Sequence, residues 1–228
     1  MTSETSMLKR HDITGTGKSS HFSIGVVAFQ GDIEENLAAT RNAVKNLELE
    51  ATVEIVRYPE EMEKIDGLIL PGGESTVIST LASLKSSLPV IKRRVEEGLP
   101  VLGTCAGMIM LSRRTFDHVV GETKQRLLGN LDIVIERNAF GRQNDSFEAE
   151  ISIPQIGNKP FNAVFIRAPA VSEVGSGVEV LAKFGGRTVA VKQRNIIGTS
   201  FHPELSDDSR IHEEFVKMCR AYANPKQY

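Results

Sequence analysis

From residue 22 onward, short apolar runs alternate with longer stretches in which apolar residues recur every three or four positions. The runs at 24–29, 53–56 and 67–70 are too short for helices and read as strands, those at 24–29 and 67–70 as strands buried on both faces. Between them, 32–47 carries the helical period, and further helices are predicted over 75–84 and 89–97. A short strand at 100–102 then leads through a glycine-flanked turn into a helical segment at 108–111. This βαβα succession predicts a parallel sheet with helices on both faces. The stretch 127–179 is richer in strand patterns, at 131–135, 149–153 and 163–166, so the sheet is expected to turn mixed there, with an antiparallel extension. A last buried strand at 196–201 precedes an amphipathic C-terminal helix. No repeat or low-complexity linker interrupts 22–228, which reads as a single domain.

Residues 1–21 differ, being rich in Ser, Thr, Gly and basic residues. They lack the apolar segment of a signal peptide and read as a flexible leader or tag. Gly15-Thr16-Gly17-Lys18-Ser19 ends like a phosphate loop, but Asp12 stands where the pattern needs glycine and no strand precedes it.

Composition narrows the class. A formal net charge of −2 with 25% charged residues gives no electrostatic footprint for nucleic acid or an anionic membrane. No apolar run approaches the ~20 residues that span a bilayer. Two cysteines in 228 residues suit a reducing, cytoplasmic compartment rather than a disulfide scaffold. Cys219 falls on the amphipathic C-terminal helix, where packing is its default role.

Cys105 differs because of its surroundings. Gly103-Thr104-Cys105-Ala106-Gly107 between a strand and a helix describes a nucleophile elbow, a turn so tight that flanking side chains would clash. The elbow sets the sulfur at a helix N-terminus, where free N–H groups and the helix dipole favour thiolate. A lone cysteine is most often a small buried hydrophobe, so a partner base decides the matter. His202-Pro203-Glu204 supplies one at a strand end. Two residues apart in extended geometry, the imidazole and carboxylate would point to one side, with Glu204 orienting His202 and His202 deprotonating Cys105. Pro71-Gly72-Gly73-Glu74-Ser75 ends another buried strand. The bland reading is a βα turn with Ser75 as helix cap; beside the elbow, the Gly73 and Ala106 N–H groups would instead form an oxyanion hole.

These segments resemble class I, triad-type glutamine amidotransferases. Within that class, five blocks are similar to the glutaminase subunits of pyridoxal 5′-phosphate synthases: Gln30-Gly31-Asp32, the block from Pro71 to Thr76, the block from Glu136 to Gln143, Phe165-Ile166-Arg167-Ala168-Pro169 and the block from Ser200 to Leu205. The resemblance covers residues 24 to about 220. It implies a flavodoxin-like three-layer α/β sandwich that hydrolyses L-glutamine to glutamate and ammonia. The ammonia would pass to a separate synthase subunit, which builds the vitamin B6 cofactor. It further implies Cys105, His202 and Glu204 as triad, Gly73 and Ala106 as oxyanion hole, and Gly73, Glu74, Ser75, Arg137, Ile166 and Arg167 as glutamine-binding residues, with no cofactor and no metal. A related cysteine hydrolase, a non-catalytic relative and a stand-alone glutaminase are the alternatives.

Overall fold

The computed structural model describes residues 21–117, 121–123, 125–140 and 146–225. Residues 1–20 of the expected leader, and Gly141, Arg142 and Gln143 of the third motif, lie outside the described residues. In chain order come β1 (Phe22–Val27), α1 (Ile33–Asn46), β2 (Ala51–Val56), α2 (Pro59–Met62), β3 (Gly67–Leu70), α3 (Ser75–Leu84), α4 (Ser87–Glu96), β4 (Val101–Thr104) and α5 (Ala106–Leu111). A strand-rich half follows: β5 (Ser112–Asp117), β6 (Gly121–Glu122), β7 (Leu131–Glu136), β8 (Ser146–Ile151), β9 (Phe161–Ile166), β10 (Ala170–Val174), β11 (Glu179–Phe184), β12 (Arg187–Gln193) and β13 (Ile196–Thr199). Helix α6 (Arg210–Ala223) closes the fold.

The main sheet runs β2-β1-β3-β4-β13-β12-β10-β7-β5-β6, with β11 paired to β12. Its first five strands are parallel. From β12 onward antiparallel pairs enter, apart from the parallel β5–β7 pair. The expected parallel sheet with an antiparallel extension is therefore present. One part departs from it: β8 and β9, which carry two of the predicted strands, form a separate antiparallel ribbon.

Strand side chains alternate between two cores, as burial on both faces requires. Phe22, Ile24 and Val26 of β1, Ile69 of β3, Leu102 of β4 and Ile197 of β13 join α1, α6 and the β8–β9 ribbon in one core. Val27, Leu68, Leu70, Val101 and Ile196 join α3, α4 and α5 in the other. This is a three-layer sandwich. Among the described residues no helix is long and apolar enough to cross a membrane.

Phenylalanines pack the β8–β9 ribbon onto the sheet. Phe147 stacks on Phe165 at 4.8 Å, and Phe201 meets Phe165 edge-on at 5.6 Å and Phe161 at 5.6 Å. Phe165 and Phe201 each stand directly before site-lining residues, so this cluster sets where Ile166 and His202 emerge. Cys219, fully buried on α6, packs so closely on β3 that a Cβ on Gly67 would lie 2.2 Å from its sulfur. Burial raises its thiol pKa, and its packing role stands.

His212 of α6 is fully buried, and neither ring nitrogen finds a partner among the described residues. Burial disfavours the charged ring and lowers its pKa from 6.5 to about 4. The fold therefore needs this histidine neutral. Above pH 6.5 there is no penalty; as pH falls from 6.5 to about 4 the unfolded chain binds a proton that the folded one refuses. Stability should fall by about 3 kcal/mol over that window, at ~1.36 kcal/mol per unit. Denaturant titrations of wild type and His212→Leu should show curves that diverge with acid, the wild type being steeper. Parallel curves would contradict the assignment.

Candidate active site

Strand β4 ends at Thr104 and α5 begins at Ala106, so Cys105 alone makes the turn. Its backbone sits at φ 47°, ψ −102°, outside the regions open to ordinary L-residues. Such strain costs roughly 1–3 kcal/mol and persists only where the surroundings enforce it. Here the Cys105 N–H donates to the Thr199 carbonyl at 2.8 Å, and its own carbonyl accepts from the Ile109 N–H at 3.2 Å. Both flanking glycines are sterically required. A Cβ on Gly107 would lie 1.8 Å from the Leu70 oxygen, and one on Gly103 would lie 2.9 Å from the Gly107 carbonyl carbon. The elbow is as expected.

The base arrives on the neighbouring strand. Thr199 of β13 pairs with Thr104 of β4, and the chain then runs past the aromatic cluster to His202, whose N–H donates to the Val164 carbonyl at 2.8 Å. Beyond it, Pro203–Leu205 is a 3-10 turn. This corrects one expectation: His202 and Glu204 meet through a turn, because the sheet has ended at Thr199, and not through extended alternation. The contact is made all the same, with Glu204 Oε1 2.9 Å from His202 Nδ1.

A second carboxylate reaches the same nitrogen, Asp32 Oδ2 at 3.1 Å. Carboxylates only accept, so Nδ1 carries the proton, and the contact with Cys105 falls to Nε2. Burial opposes charge on His202, but hydrogen bonds to Asp32, Cys105 and Glu204 outweigh it and the pKa is pushed up to about 12. In return, the hydrogen bond to His202 holds the Asp32 carboxyl below its ordinary value. Asp32, His202 and Glu204 gather donor atoms within 4.8 Å of one another, a grouping that the hydrogen bonds to Nδ1 account for without a metal. The ring lies against Gly72, where a Cβ would come within 2.4 Å of His202 Cε1.

A cavity of about 250 Å³ opens above the sulfur, lined among others by Gly73, Glu74, Ser75, Arg137, Ile166 and Arg167. It is smaller than the ~300–1,000 Å³ typical of sites for drug-sized ligands. All six residues named for glutamine binding thus meet in one place, although they come from three distant segments. The Ile166 carbonyl faces the Cys105 sulfur at 4.0 Å. Glu74 accepts from Arg137 at 2.7 Å, and the Ser75 hydroxyl bonds Gln125 at 3.0 Å. Arg167 has an unusual positive φ of 45° and makes no ion pair among the described residues. The two arginines are therefore not equivalent. Ala106, buried and outside the lining, opens α5, where backbone N–H groups lack helical partners.

The sequence reading assigned no role to Gln30, Asp32, Ile109 or Asn138, which also line the cavity. Gln30 Oε1 accepts from the Glu74 N–H at 2.7 Å, and the Asp32 N–H donates to the Gly72 carbonyl at 3.3 Å. A signal for the first two was present. A Gln-Gly-Asp segment just beyond a buried strand lies where the sites of open α/β sheets collect.

A strained cysteine at a strand–helix elbow, beside a carboxylate-held histidine, is the arrangement that a cysteine hydrolase of α/β fold requires. Residues 26–221 match the SNO glutamine amidotransferase family, and the chain belongs to that family. It is 51% identical over 197 residues to the pyridoxal 5′-phosphate synthase subunit PdxT of Nitrosopumilus maritimus, covering 86% of this chain and 96% of that protein. The PdxT subunit of Archaeoglobus fulgidus is 48% identical over 195 residues, covering 86% of this chain and 97% of that protein. A crystal structure of a glutamine amidotransferase superposes with a TM-score of 0.75 at 43% identity, over 86% of this chain and 98% of that one. PurLQS from Thermotoga maritima, at 14% identity and a TM-score of 0.59 over 90% of this chain and 99% of that one, shares the fold.

Proposed function

We propose that this chain is the glutaminase subunit of a pyridoxal 5′-phosphate synthase. It hydrolyses L-glutamine to L-glutamate and ammonia and delivers the ammonia to a synthase subunit. The observation that carries the reading is the Cys105–His202–Glu204 arrangement at the floor of a cavity lined by Glu74, Arg137 and Arg167. Family membership and the PdxT relatives support the partner. Residues 22–228 act as one domain, and two free thiols suit a cytoplasmic location.

In this mechanism the charged His202 holds the Cys105 proton on Nε2 while the sulfur attacks the side-chain amide carbon. The carbonyl oxygen becomes an oxyanion, met by the N–H groups of Gly73 and Ala106. The C–N bond breaks as His202 returns the proton to nitrogen, releasing ammonia and leaving a thioester. Water then attacks, with His202 as base, and glutamate leaves as the thiol is restored. Arg167, without an ion pair among the described residues, suits the substrate α-carboxylate, and Glu74, anchored by Arg137, suits its α-ammonium.

Ammonia released without an acceptor wastes glutamine, so activity should depend on the partner. Gly73 sits at φ 143°, a glycine conformation, next to Gly72; a peptide there can turn its N–H toward or away from the oxyanion at little steric cost. One such donor is worth about 10²–10³ in rate. Ammonia release measured with and without the synthase subunit should show kcat rising at saturating glutamine, and Gly73→Ala should blunt the rise, since a Cβ there would meet Gln30 Oε1 at 2.6 Å. Equal turnover with and without the partner would instead favour a stand-alone hydrolase.

A further inference from the structure

We infer that Asp32 is a positioning residue for this reaction, its carboxylate sharing the His202 Nδ1 proton with Glu204 so that the imidazole is held from two sides. The inference rests on the reading of Cys105 and His202 as the reacting pair.

The geometry is specific. Asp32 Oδ2 and Glu204 Oε1 stand 3.1 and 2.9 Å from the same nitrogen, so two carboxylates converge on one N–H, Glu204 as its hydrogen-bond acceptor and Asp32 at ion-pair distance. The carboxylates differ in setting: the Glu204 side chain is fully buried, whereas that of Asp32 is one-third exposed at 33%. Asp32 also occupies the N-cap of α1, where an aspartate ordinarily bonds the first-turn N–H groups. It makes no such bond. Its carboxylate turns across the loop to the histidine instead, and its backbone N–H ties the same loop to the Gly72 carbonyl. Gly72 leaves the gap through which this contact passes, since a Cβ there would lie 2.5 Å from Asp32 Oδ2 and 2.8 Å from His202 Nδ1.

The charged imidazole is required when it faces the attacking sulfur and again when it hands a proton to the departing nitrogen. The ionisable groups facing it are Asp32 from the loop after β1, Glu204 from its own turn and Cys105 from the elbow. Two acceptors on Nδ1 fix the tautomer and restrain the ring, keeping Nε2 toward the sulfur. They also back one another up, so loss of one carboxylate leaves the imidazole held by the other.

The test has two arms. In Cys105→Ala protein, where the carboxylates are the remaining ionisable partners, the His202 ring is titrated by NMR. Asp32→Asn should lower the midpoint by about one unit or more, as removal of an adjacent opposite charge does, and Asp32→Glu should recover part of the shift. An unmoved midpoint overturns the inference. In protein with native Cys105, assayed with its synthase partner, Asp32→Asn should lower kcat about tenfold, the equivalent of one pKa unit, with KM for glutamine unchanged. Combined with Glu204→Gln, the loss should exceed the product of the two single losses. A raised KM with unchanged kcat would make Asp32 a glutamine-binding group and overturn the positioning role, as would single losses that simply multiply. If Asp32→Asn does not fold, Asp32→Ser gives the same comparisons. Absence of glutamine hydrolysis in wild type, together with the NMR shift, would remove the proposed activity and leave the shared proton standing.

Discussion

Cys105→Ala is expected to reduce glutamine hydrolysis by on the order of 10⁴-fold or more, to background. Removing a covalent nucleophile eliminates the thioester route altogether, and little of the remaining machinery can act without it. The fold should survive. The side chain lies at a turn at the floor of the cavity, and alanine removes only the sulfur, so circular dichroism and the thermal transition should stay close to wild type. Persistent turnover in this variant, with its structure intact, would place the chemistry elsewhere.

His202→Asn should cost several orders of magnitude in kcat, since among the described residues no other proton carrier is paired with the sulfur. Glu204→Gln should cost less, because orientation and charge stabilisation are secondary to proton transfer. Stability should move as well. The folded-state pKa of His202 is raised to about 12 from 6.5, so its contribution is fully present below pH 6.5 and fades as pH climbs toward 12. Asparagine also leaves the buried Glu204 carboxylate without its counter-ion, and breaking a buried pair typically costs about 3–5 kcal/mol. Kinetics and denaturation should therefore be read together. A Glu204→Gln loss larger than that of His202→Asn would reverse the roles given to the two residues.

Sequence pattern reached the parts of this fold that local physics decides. Continuous apolar runs marked β1, β3 and β13, because strands buried on both faces can carry no polar alternation, whereas the edge strand β2 keeps Glu54 and Ile55 exposed. The elbow was visible because both of its glycines are demanded by close contacts, Gly103 by Gly107 and Leu111 of α5 and Gly107 by the Leu70 carbonyl of β3. Ends were less legible: the first strand was expected over 24–29 but leaves the ladder at Val27, and the Gln30-Gly31 turn that follows is shaped by its approach to Gly72. Strand β5, with Arg113 and Arg114 exposed, carries no apolar stripe. The β8–β9 ribbon shows strand periodicity, but period alone cannot say which sheet a strand joins. Its place depends on phenylalanines scattered from 140 to 201 that meet only in three dimensions. Asp32 was read as part of a motif without a role, since 170 residues separate it from the imidazole it holds.

The most direct test of the central claim is covalent labelling by a glutamine-mimicking diazoketone, followed by mass spectrometry of the digested protein. One adduct per chain should appear on Cys105, excess L-glutamine should protect it, and the buried Cys219 should remain unmodified. Modification of Cys219 instead, or labelling of Cys105 that glutamine does not slow, would contradict the assignment of this cavity as a glutaminase site.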